Sequence, residues 1–177
     1  MIKMKKRLLV FLLSSLFTAG MLHAEDNIAT LQINGNVSNN NYDCYIYVDD
    51  TISLTGQTDQ LIAQGENATA PKSVSMVVGN VNGYCPAPER TVIQLHATAD
   101  SANGTVIANS DLSENGAKGV GIGVYDKNKI PVSINGGIIP LNGLLSTEVN
   151  FQLVKLNGQT PTEGSIHGVL TLDLVRL

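Results

Sequence analysis

Few residues in this chain have the type and spacing to do chemistry. Cys44 and Cys85 are its only cysteines, and His23, His96 and His167 its only histidines. A zinc site would need several Cys or His ligands at short, regular spacings, and this sequence has none. Asp49-Asp50 is an acidic pair, but it stands in a turn-like break and reads as solvated. Gly119-Val120-Gly121-Ile122-Gly123 lacks the spacing and the following helix of a dinucleotide-binding loop. There is no nucleophile elbow and no phosphate-binding glycine loop. The expectation is a protein that is not an enzyme and holds no metal or cofactor. The chemistry that remains is oxidation of the two thiols to a disulfide. An even cysteine count in an exported chain favours that pairing. The loop it would close holds 40 residues, for which loop entropy allows about 4 kcal/mol of stabilisation as an upper figure.

The exported compartment is read from the first 24 residues. Lys3, Lys5, Lys6 and Arg7 precede a short apolar run, Leu8 to Phe17, and Leu22-His23-Ala24 stands before Glu25. That is the layout of a signal peptide over residues 1–24, and the run is too short to span a bilayer. Its removal takes away four basic and no acidic residues, so the formal net charge moves from −4 to −8. Such an acidic chain carries no electrostatic footprint for nucleic acid and no basic patch for anionic lipid. No later apolar run is long enough to insert in a membrane. The remaining length fits one domain with a sizeable core.

The elements that would position the cysteines read as short strands. Alternation places Ala29, Leu31, Ile33 and Gly35 on one face of an N-terminal segment. Residues 44–54 read as a strand broken at Asp49-Asp50, and residues 55–72 as a loop. Val74, Met76 and Val78 share a face, as do Ile93, Leu95 and Ala97, then Val120, Ile122 and Val124, then Val149, Phe151 and Leu153. The glycines opposite Val120, Ile122 and Val124 leave room for a neighbouring layer. Val132 and Ile134 read as a returning strand after a turn at Asp126 to Lys129. Residues 100–118 read as a polar loop with Val106 and Ile107 as its apolar anchor. His96 and His167 fall on outward faces. No segment after the leader sustains a 3.6-residue period, so the predicted fold is an all-β, antiparallel sandwich of immunoglobulin type.

The final stretch, Gly164 to Leu177, alternates strictly, with Leu170, Leu172 and Leu174 on one face. No further strand follows in the sequence to cover it, and an uncovered strand edge exposes unpaired N–H and C=O groups.

These features together resemble the subunits of chaperone–usher fimbriae of the type 1 kind. The residues that carry the resemblance are ordered along the whole chain: the leader, the alternating N-terminal segment, Cys44 and Cys85, Thr98 to Asn103, Gly119 to Asp126, Phe151-Gln152, and Gly164 fourteenth from the end. The resemblance implies an incomplete sandwich that lacks its last strand and is completed by donor-strand complementation. It implies a donor extension at residues 25–36 and a pilin domain at 37–177. Ala29, Leu31, Ile33 and Gly35 would enter a neighbour's groove. Gly164, Leu170, Leu172, Leu174 and Leu177 would form the acceptor groove and chaperone contact. Implied partners are other pilin subunits, a periplasmic chaperone and an outer-membrane usher. The chain would pass through the periplasm to a fimbria serving surface attachment. Two positions depart from the family's pattern: Ala29 stands where the donor usually has glycine, and Arg176 where a penultimate tyrosine is usual. A different class, a secreted carbohydrate-binding sandwich, would need an exposed aromatic platform. Tyr42, Tyr45 and Tyr47 are the only aromatic cluster.

Overall fold

The computed structural model describes residues 28–36, 44–79, 85, 90–141 and 145–177. The predicted leader at 1–24, the polar stretch Asn39 to Asn41, Tyr42, Pro86 and Pro88 lie outside the described residues. Within them the chain is all β, with two sheets packed face to face around one main core.

The first sheet has the order β3-β1-β11-β6-β9. Its members are β1 (Ile28–Asn36), β3 (Thr51–Thr55), β6 (Thr91–Ala97), β9 (Ile138–Pro140) and β11 (Ile166–Arg176). The second has the order β2-β5-β10-β8-β7, with β4 also pairing with β10. Its members are β2 (Tyr45–Tyr47), β4 (Ile62–Ala63), β5 (Lys72–Gly79), β7 (Ile107–Ala108), β8 (Val120–Tyr125) and β10 (Ser146–Lys155). Two-residue periodicity sends alternate side chains inward. Val74, Met76, Ile93, Leu95, Ile122, Val124, Val149 and Phe151 are all buried between the sheets.

Three details differ from the pattern read in the sequence, and a fourth fills it in. The break at Asp49-Asp50 is a change of sheet: β2 belongs to the second sheet and β3 to the first. The stretch read as a loop at 55–72 contains β4, which pairs in parallel with the end of β10. Val132 and Ile134 do not form a strand. Val132 donates its N–H to the Val124 carbonyl, and the chain then crosses to the first sheet to make β9. Finally, every residue of β8 is buried, so both of its faces are covered. The glycine face of β8 lies under a second small core of Ala68, Val106, Tyr125, Val154 and Leu156. A Cβ at Gly121 would stand 2.8 Å from Val106 Cγ2, and one at Gly123 would overlap the Tyr125 ring. Those glycines do make room for a neighbouring layer, and it is the chain's own.

Cys44 and Cys85 form the predicted disulfide, with Cα atoms 5.9 Å apart. It closes one end of the sandwich in a cluster with Val78, Ile46, Leu141, Leu145 and Leu174. Such a bond fits an oxidising, exported compartment. Among the described residues no helix is long and apolar enough to cross a membrane. Nor, among them, could any group of three or more His, Cys, Asp or Glu hold a metal ion.

Candidate functional site

The N-terminal segment read as an extension is an interior strand of the first sheet. β1 lies between β3 and β11, antiparallel to the former and parallel to the latter. Its ladder with β11 runs from Ala29 opposite Ile166 to Asn36 opposite Asp173. With β3 it runs from Ile28 opposite Thr55 to Gln32 opposite Thr51, and the Ile33 N–H donates to the Asp50 carbonyl at 2.9 Å. Interior position means that both strand edges are paired, which removes the exposed edges that β3 and β11 would otherwise present to each other.

The side chains obey the predicted alternation. Ala29, Leu31 and Ile33 are 1%, 0% and 3% exposed, while Gln32 and Asn34 face out. Gly35 stands opposite Leu172. The inward residues therefore fill a groove within their own chain. Its two walls are Ile52 and Leu54 on β3 and Ile166, Gly168, Leu170 and Leu172 on β11, with the second sheet as its floor. Burial of Leu31 and Ile33 contributes roughly 1.5–3 kcal/mol each. A small, partly open pocket of about 20 Å³ is lined by Leu61, Ala117, Val120, Leu153 and by Ile166, the register partner of Ala29, among others.

The predicted acceptor residues divide into three groups. Leu170 and Leu172 are fully buried beside β1. Leu174 lies beyond the last β1 pair and packs, half-buried, in the disulfide cluster. Gly164 and Leu177 sit outside the groove at opposite ends of β11. Gly164 has φ 151°, and a Cβ there would come within 2.4 Å of Ala117 N and Asn115 O, so the bend before β11 requires glycine. Leu177 is exposed, donates its N–H to the Arg90 carbonyl, and accepts from Arg90 Nε at 2.9 Å. The wall residues Ile166 and Gly168 were within reach of the sequence, because they extend the Leu170–Leu172 alternation by two steps. Ile52 and Leu54 also alternate, but nothing in the sequence pairs them with β1.

Polar contacts fix the start of β11 where β6 no longer reaches it. Asn109 Oδ1 accepts from the His167 N–H, and Asn109 Nδ2 donates to the carbonyls of Ala117 and Ser165. Ser110 donates its N–H and hydroxyl to the His167 carbonyl. The Ser165 hydroxyl donates to the Asp111 carboxylate. That bond, with others from Ser113, lowers the Asp111 pKa to about 2. Further along, His96 on β6 meets Asp173 at 3.3 Å, both partly exposed. Away from the groove, buried Asp100 accepts from the N–H groups of Val106, Ala102 and Asn103 and from the Gln64 amide. Burial acts to raise its pKa, but those four donors lower it overall.

The arrangement can bind an extended strand by main-chain pairing, with alternate side chains seated in the groove. Comparison of the sequence with protein-family models and with curated proteins finds no match.

Proposed function

We propose that this protein is a structural subunit of a chaperone–usher type fimbria, polymerising by exchange of its N-terminal strand and serving surface attachment. One observation carries the reading: β1, the first described element, is an interior strand whose buried side chains complete the core between β3 and β11. A strand held in this way can leave with its own side chains and enter an equivalent groove elsewhere. The same groove, emptied, accepts the same segment from another copy. A head-to-tail contact of this kind does not close on itself, so it builds a filament. A periplasmic chaperone would hold the groove during export, and an outer-membrane usher would be the place of exchange.

The test is a thermal melt of oxidised residues 37–177, alone and with residues 25–36 joined to the C-terminus through a flexible linker. The expected result is a weak transition for the truncated chain and a sharp, much higher one for the graft. A truncated chain that is already stable, with no gain from the graft, overturns the reading.

A second reading has one observation in its favour. Tyr45 and Tyr47 are 43% and 51% exposed on the edge strand β2, and Val77 beside Tyr47 is 45% exposed. That is a small apolar platform of the kind sugar rings stack on. Glycan binding abolished by Tyr47→Ala would favour a carbohydrate-binding module.

A further inference from the structure

Asn-Gly is the dipeptide most prone to rearrange unaided, because glycine has no Cβ to hold its backbone nitrogen away from the asparagine side chain. That nitrogen gives its proton to water, bonds to the side-chain carbon Cγ and expels ammonia, which leaves a five-membered imide. Water then opens the ring at one of its two carbonyls. One opening gives aspartate. The other gives isoaspartate, whose main chain runs through the former side chain and is one carbon longer. The net change is one water consumed and one ammonia released, with no oxidation. Ring closure requires the peptide between the two residues to swing round toward Cγ.

Asn-Gly occurs seven times in this sequence. Among the described residues, only Asn34-Gly35 lies inside a strand. Its peptide is held in the ladder with β11, which continues through Gly35 opposite Leu172 to Asn36 opposite Asp173. The Asn34 side chain meets water, while the backbone beside it is fixed in the extended form. The other described pairs have surroundings that β1 does not supply. Asn135 Oδ1 accepts from the Ala97 N–H, and Asn135 Nδ2 donates to the Ala97 carbonyl. Asn103 Oδ1 accepts from the Thr105 hydroxyl. Asn157-Gly158 stands in an exposed turn after β10.

Isoaspartate at position 34 would be costly to the strand. One extra main-chain carbon breaks the period of two, so Gly35 and Asn36 could no longer meet Leu172 and Asp173. Either product also places a carboxylate on the outward face, opposite Thr171 and two residues along from Asp173. Like charges at that spacing oppose pairing.

We propose that Asn34-Gly35 is a self-modifying site gated by the seating of β1: it is stable in the groove, converts to isoaspartate when the strand is out, and then bars the strand from any groove. Resting on the strand-exchange reading, this sets a limited life on an unseated strand and spares one held by its own chain or by another copy.

The test ages the oxidised chain at neutral pH and maps isoaspartate by enzymatic methylation and peptide mass. Conversion at Asn34 should be about tenfold or more faster in Leu31→Ala, which opens β1 more often, than in the unaltered chain. Conversion at Asn157 should be the same in both. If Leu31→Ala does not fold, Leu31→Val should show a smaller excess at Asn34. Equal conversion at Asn34 in the unaltered chain and in a folded Leu31 variant overturns the gate. The second readout is uptake of synthetic peptides spanning residues 25–37 by the same variant. Uptake should fall about tenfold or more from the Asn34 peptide to one with isoaspartate at 34, and by less with aspartate there. Equal uptake of the asparagine and isoaspartate peptides overturns the proposal and leaves strand exchange standing. Uptake of none of them overturns strand exchange, and the bar on re-entry falls with it.

Discussion

The two sheets each have an interior strand that buries Leu, Ile, Val or Phe side chains in the same core, and the two strands are held very differently. β10 is antiparallel to β5 on one side and β8 on the other. It is buried on both faces, with Val149, Phe151 and Leu153 in the main core and Val154 in the second. Its polar residues are also tied: Asn150 Nδ2 donates to the Asp126 carbonyl at 2.8 Å, Asn150 Oδ1 accepts from the Ser73 hydroxyl, and Gln152 Oε1 accepts from the N–H groups of Thr69 and Ala70. β1 is buried on one face, shows Gln32 and Asn34 to solvent, and runs parallel to its longer partner. Equal depth of burial thus coexists with unequal attachment. An interior strand becomes exchangeable when its hold is mostly apolar contact and main-chain pairing, both of which an identical strand reproduces.

The largest effects come from truncating each strand's central side chain. Phe151→Ala should cost about 3–5 kcal/mol and Leu31→Ala about 2–5 kcal/mol in chemical denaturation. The contrast lies in a second readout. Leu31→Ala should raise uptake of an added peptide spanning residues 25–37, because only this change weakens the exchangeable strand. Equal uptake by both variants would erase the distinction between the strands. Replacing Cys44 and Cys85 with Ala should cost up to about 4 kcal/mol and, because the bond closes the end of the sandwich beyond β1, should loosen both sheets alike. A selective rise in peptide uptake would show instead that the disulfide gates the groove. Asn150→Ala should cost about 1 kcal/mol by removing its hydrogen bonds to the Asp126 carbonyl and the Ser73 hydroxyl, with no effect on uptake.

The smallest effect is on pH. The folded pKa of Asp111, about 2, lies below its ordinary value of 3.8, and that of Asp100 is also lowered. Their stabilising contribution is present above about pH 4 and is lost as pH falls through the folded values. Melting temperature should therefore fall between about pH 4 and pH 2. Ser165→Ala should reduce that slope by removing Asp111's principal donor, and an unchanged slope would show that the contact at the start of β11 carries no linkage.

Much of the fold was legible because a strand's period of two is a local property. The inward faces of β5, β8 and β10, the pairing of Cys44 with Cys85, the inward set Ala29, Leu31 and Ile33, and the outward set of β11 all follow from residue order and type. The two-residue strands β4 and β7 were not legible, since so short a segment has no period to read. The sheet change at Asp49-Asp50 showed only as a break, because a turn's composition does not say which sheet follows it. Gly121 and Gly123 could be read as making room, but not for whom.

What residue order determined by itself is that this chain folds as alternating strands and that residues 29–35 form a strand with one apolar face. What only the tertiary structure decided is where that strand goes. Side-chain alternation states which face must be buried, yet it is the same for either strand direction and for any groove of matching width. The pairing with β3 spans about twenty positions, while the parallel sense along β11 and the register of Leu31 with Gly168 depend on residues more than a hundred positions apart. Such contacts have no local signature, because main-chain pairing is indifferent to sequence and the pocket exists only once both sheets have packed.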